Sequence, residues 1–171
     1  MASLSSTREN PDLNILAARQ FIGTAQVDIS CLKFFQGRQT DHWVVDNLLR
    51  VFSQSGCLRY DLDNYVPVLV FKEELQRALW TSGLTQSALK NAVKERLLCL
   101  LKVVEDQKLY CSHGRHRVEA AKSFFLEQED HWWTIKLFLV QSKGTRSIRF
   151  EHSTAEYVSR QVWKACSPME G

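Results

Sequence analysis

LYCSHGRHRVEAAK, Leu109 to Lys122, is the stretch on which the fold turns. Lys108–Cys111 reads as a short strand and meets a turn containing Gly114, after which VEAAKSFFL supplies strong helix formers. A strand that runs through a glycine straight into a helix brings the helix N-terminus, with its unpaired N–H groups and partial positive charge, to one corner of the molecule. Gly114 lets the backbone approach a ligand closely. Arg115 and Arg117 add guanidinium groups suited to phosphate oxygens. His113 and His116 can hydrogen-bond a phosphate or shuttle a proton near neutral pH. The plain alternative is that these charges are solvated. Arginine at a helix start is mildly unfavourable by dipole logic, however, and an anion in the corner would compensate for it.

Working outward from this corner, AQVDISCLKFF from Ala25 carries β-formers in partial alternation and is expected to be one strand. Gln36 to Arg38 makes a turn. Asp41 is a candidate N-cap for a helix with Val44, Val45, Leu48, Leu49, Val51 and Phe52 at helical spacing, and Gly56 is placed to stop it. YVPVLVF, Tyr65 to Phe71, is a strand suited to burial on both faces, with Pro67 arguing for its start or for a sheet edge. Glu73–Trp80 is a short helix. Thr85 or Ser87 caps a longer one expected to run through SALKNAVKERLLCLLKVV. Trp133–Val140 is a strand. After the basic loop QSKGTRSIRFEHS, Ser153 can cap a last helix with Tyr157, Val158, Val162 and Trp163 on one face. Strands alternating with helices predict an α/β or α+β fold with a mixed sheet flanked by helices. The expected organisation is a tail over residues 1–12, one domain over 13–166 and a short tail over 167–171.

Composition bounds the function classes. A chain of 171 residues with 44% hydrophobic and 24% charged side chains is ordinary for one globular domain. A net charge of +3 permits an anionic partner without demanding one. The N-terminal residues hold no apolar run resembling a signal peptide, and the longest apolar stretches are too short to span a bilayer. The five cysteines are odd in number, scattered and without a Cys-x-x-Cys pair. They read as small buried hydrophobes in a reducing compartment, so cytoplasm or nucleus is expected, with no membrane partner.

The Gly-x-His-Arg-x-Glu-Ala pattern spanning Gly114 to Ala120 resembles the signature of the ParB/sulfiredoxin fold. ParB-type proteins carry a Gly-Glu-Arg-Arg version, sulfiredoxins a Gly-Cys-His-Arg version, and archaeal free-serine kinases a His-rich one. VDISCLKFFQGR is similar to the opening strand and Gln-Pro-Arg loop of ParB proteins, with Gly37 in place of the proline. The helix ending at Gly56, the strand VPVLV and the later strand WTIKLFLV complete a resemblance covering roughly Ala25 to Val140. RQFIGTAQVDIS, GCLRYDLDNYVPVLV, LYCSHGRHRVEAAK and HWWTIKLFL also resemble stretches of an uncharacterised family of filamentous fungi. The superfamily resemblance implies a nucleotide-binding domain, with ATP or CTP and Mg²⁺ as ligand. It implies His113, Gly114, Arg115, His116 and Arg117 as the phosphate cradle, Arg38 as the residue that closes over it, and pairing into a homodimer. A nucleoside triphosphatase or kinase-like phosphotransferase is the implied activity class.

Several departures narrow this expectation. Arg115 stands where sulfiredoxins have cysteine, so sulfinic acid repair is not expected. The serine kinases use an acid in the loop after the first strand, and Phe34 to Thr40 contains none. Asp41 is the nearest candidate and is equally well explained as a helix cap; His116 and Glu119 are the other candidates for catalysis. After Val140 there is room for only a loop and one helix, so ParB-like DNA reading is not expected. A second expectation is a non-catalytic module for DNA, RNA or tRNA, in which Lys143, Arg146 and Arg149 near Trp132 and Trp133 contact phosphates. A third is an interaction domain without a ligand. Cys111-x-His113-x-x-His116 has metal-ligand chemistry but no fourth ligand at a telling spacing, so Cys111 reads as a core residue and no metal site is expected. Asp61 and Asp63 can hold Mg²⁺ or simply build a turn.

Overall fold

The computed structural model describes residues 20–34, 39–125 and 131–140. The expected tails, the Arg38 loop, the basic loop and the last helix from Ser153 lie outside these residues. Five strands and four helices of eight residues or more are present among those described: β1 (Phe21–Asp28), β2 (Leu32–Phe34), α1 (His42–Ser55), β3 (Val66–Phe71), α2 (Lys72–Ser82), α3 (Gln86–Glu95), β4 (Leu109–Cys111), α4 (Arg115–Phe124) and β5 (Trp132–Val140). The strands form one mixed sheet in the order β1-β5-β3-β4-β2. β1 is antiparallel to β5, β5 parallel to β3, β3 antiparallel to β4 and β4 parallel to β2. The architecture is mixed α/β, as the alternation of elements predicts.

The strand expected from Ala25 is two strands. β1 begins earlier, at Phe21, and a 3-10 turn over Ile29–Cys31 separates it from β2. β1 and β2 lie at opposite ends of the strand order. On a flat sheet that is four spacings, about 19 Å. The four residue steps from Asp28 to Leu32 reach at most about 14 Å, so the sheet curls to bring its ends together. The turn holds because the Asp28 carboxylate accepts from the Ser30 amide at 2.7 Å and Ile29 and Cys31 are buried.

The long helix expected through Val104 stops at Glu95, where Arg96 adopts a left-handed conformation with φ 54°. The chain beyond it covers the outer edge of β1. The Gln26 amide donates to the Cys99 carbonyl at 2.9 Å, and the Leu101 amide donates to the Gln26 carbonyl at 2.8 Å. Leu101 enters the core at 2% exposure. A strand edge needing partners outcompetes helical periodicity, whose own energy is small.

β3 is central, flanked by β5 and β4, so Pro67 marks its start and not a sheet edge. The Asp41 cap and the Gly56 stop of α1 are observed as expected, with the Trp43 amide donating to the Asp41 carboxylate at 3.0 Å. The core joins Val66, Val68, Val70, Trp133, Ile135 and Leu137 to Phe52 of α1 and Val118 of α4. α3 lies so close on β1 that a Cβ at Gly23 would meet the Leu89 backbone at 2.3 Å. Gly23→Ala must therefore push α3 off the sheet, at a cost of about 2 kcal/mol or more, read as a lower urea midpoint; an unchanged midpoint would refute this contact.

Candidate functional site

The corner begins with a proline. Ser112 continues the β4 register, its amide donating to the Pro67 carbonyl at 3.1 Å. A hydrogen-bonded antiparallel pair exchanges two bonds, but Pro67 has no N–H to return. The ladder ends there and the chain turns at Gly114, whose φ of 95° favours glycine and whose added Cβ would meet Val66 Cγ2 at 3.0 Å. α4 starts at the next residue. A helix leaves its first amides without intrahelical acceptors, and the glycine cap brings no side chain to them.

The five residues His113–Arg117 are all half-buried, so the corner is open to solvent and not sealed in the core. Their side chains take different directions. The Arg115 guanidinium lies over the Phe34 ring at 5.7 Å, at the end of β2. His116 Nε2 accepts from the Asp41 amide at 3.0 Å, which ties the corner to the start of α1. Arg117 donates to the Asn64 carbonyl at 3.4 Å, an oxygen that also accepts from Trp133 Nε1 at 3.0 Å. Burial lowers the Arg117 pKa, while the Asp61 and Asp63 carboxylates act in the opposite sense. Neither carboxylate is within ion-pair distance of it.

Two polar atoms at the corner, Ser112 Oγ and His113 Nε2, are buried without a hydrogen-bond partner. Such atoms cost about 1–3 kcal/mol each unless something meets them. Burial, then the charges of Arg117 and Lys136, push His113 down to about 4. The ring is thus neutral at physiological pH.

Among the other candidates, Asp41 uses its carboxylate as the α1 cap while its amide meets His116. Glu119 pairs with Lys122 at 3.0 Å along α4. Asp61 accepts from the Asp63 amide at 3.2 Å, which is turn chemistry. Cys111 is 1% exposed, its thiol pushed up by burial; it is a core residue. Arg38, Lys143, Arg146 and Arg149 lie outside the described residues. Ser112, Asn64 and Lys136 are the neighbours that sequence reasoning passed over. Lys136 had a signal, as the single cation inside the apolar strand IKLFL.

A five-stranded mixed sheet with a basic strand–glycine–helix corner describes the class of protein. The chain belongs to the family described as protein of unknown function (DUF3723) N-terminal domain, whose model matches residues 20–156. No curated protein and no solved structure matches it. Among the described residues, no helix is long and apolar enough to cross a membrane.

The state of His113 is testable through stability. An unfolded imidazole gains its proton near pH 6.5, whereas the folded one resists until about 4. Its contribution is complete above the upper value and is lost as pH falls through the lower one. The urea midpoint should fall over that window, and His113→Gln should flatten part of the fall. Equal slopes in both proteins would remove His113 as the cause.

Proposed function

We propose that this chain is a nucleotide-binding domain of the ParB/sulfiredoxin type, holding phosphate at the N-terminus of α4. The observation that carries this reading is the half-open helix start flanked by two unmet polar atoms, Ser112 Oγ and His113 Nε2. Arg117, a partly desolvated cation with no carboxylate in ion-pair reach among the described residues, supports it, since an anion would offset that desolvation. So does the position of Gly114 to Ala120, which falls at a strand-to-helix junction within a mixed sheet. ATP or CTP with Mg²⁺ is the ligand class. Asp41 and Glu119 are already engaged by the Trp43 amide and Lys122, so the reading is one of binding, with no catalytic step assigned.

Micromolar binding with ligand at about 100 times Kd would add about 2.7 kcal/mol, a rise in melting temperature of roughly 5–10 °C for a chain of this size. Mg²⁺-ATP or Mg²⁺-CTP should produce such a rise, and Arg115→Ala should remove more than half of it. No rise with any common nucleotide would overturn the reading. Binding to DNA, RNA or tRNA instead, weakening steeply with salt, would redirect it to a phosphodiester backbone.

A further inference from the structure

The sheet has two sides, and the described helices account for one of them. Paired residues share a side, as do residues two apart on a strand. Val66, Val68, Ile135 and Leu137 face one way, into the core. The buried residues of α1, α2 and α4 all join that core, as does Leu89 of α3. Register sets Thr24 opposite Lys136, Lys136 opposite Pro67 and Phe138 opposite Leu69, so these residues face the other, outer side. Thr134, two residues before Lys136, faces it with them.

A sheet side left to solvent keeps its outward side chains exposed. This one does not. Thr134 is 0% exposed, Thr24 2%, and Leu69 and Phe138 4% each, yet neither Leu69 nor Phe138 belongs to the core cluster of the opposite side. The structure is a single chain, so the cover is the protein's own and not a second copy. The two long segments outside the described residues are 1–19 and 141–171.

The unmet hydroxyls say what kind of cover it is. Those of Thr24 and Thr134 are buried with no hydrogen-bond partner, whereas polar side chains laid over them would have met them. Residues 1–12 are polar. Residues 153–166 instead carry Val158 and Val162 one helical turn apart, flanked by Tyr157 and Trp163. Glu156, Arg160 and Lys164 fall at four-residue spacing on the opposite face. Lengths agree as well. β5 ends at Val140 between β1 and β3, and residues 141–152 can reach about 40 Å, enough to return along β5. A helix over 153–166 would be about 21 Å long, against about 19 Å across the five strands.

We infer that residues 153–166 dock as an amphipathic helix across the outer side of the sheet, with Val158 and Val162 against Leu69 and Phe138. The sheet then lies between two helical layers, and this holds whether or not the corner binds phosphate.

Photo-crosslinking in the full chain tests it. With p-benzoylphenylalanine in place of Tyr157, irradiation should join the probe to β3 or β5 of the same chain, at or beside Leu69 or Phe138. The same probe in place of Arg160 should not reach them. A joint to a second chain, to the α1–α4 side of the sheet, or to nothing would overturn the inference. So would a joint to Leu69 or Phe138 from a probe at Leu16 and not from Tyr157, which would give this side to the N-terminal segment. Stability supplies a second reading should the probe disturb folding. Val162→Asn should lower the urea midpoint, while Arg160→Asn should leave it unchanged; equal midpoints in the two proteins would sink the docking.

Discussion

Three residues, Ile29–Cys31, connect strands at the two ends of the sheet order. The arrangement elsewhere follows from how little chain that is. A flat sheet cannot be closed by so short a link, so the strands curl toward one another and the apolar side of the sheet wraps a common core with α1 and α4. The curl leaves β1 with an outer edge, and Cys99–Leu101 occupies it through two backbone bonds. The close seat of α3 on Gly23 belongs to the same corner of the molecule.

Within that frame one missing hydrogen fixes where the chemistry sits. Pro67 accepts from Ser112 and cannot donate back. β4 is thereby released after three residues, and the turn at Gly114 leads into α4, whose Val118, Ala120 and Ala121 pack into the core. The basic side chains then diverge, each held by a different element: Phe34 of β2, the start of α1, and the Asn64 turn before β3. A cluster that looks continuous along the sequence is in space a rim around a helix end. Its positive charge is distributed and only partly desolvated.

Electrostatics and hydrogen-bond accounting point the same way at this rim. Burial, and after it the charges of Arg117 and Lys136, holds His113 neutral. A proton on His113 would meet both that burial and two like charges. The hydroxyls of Ser112 there, and of Thr24 and Thr134 across the sheet, are buried without a hydrogen-bond partner.

Local chemistry alone determined a good part of this protein. The Asp41 cap, the Gly56 stop, the apolar run into β3 and the glycine before α4 each follow from side-chain and backbone rules acting over a few residues; the convergence of the His113 to Arg117 side chains that the sequence suggests is not what the structure shows, because Arg115, His116 and Arg117 are each held by a different element. Other features needed the tertiary structure. AQVDISCLKFF has the β-propensity of one strand, yet no local signal shows that its halves lie at opposite ends of a curled sheet. SALKNAVKERLLCLLKVV keeps helical spacing past Glu95, but the edge of β1 offers hydrogen bonds that the isolated segment cannot see. Lys136 enters the neighbourhood of His113 only because β5 and β4 flank β3. Propensity acts between near neighbours, whereas edge pairing and charge proximity act between segments far apart in sequence, and only the folded chain brings those together.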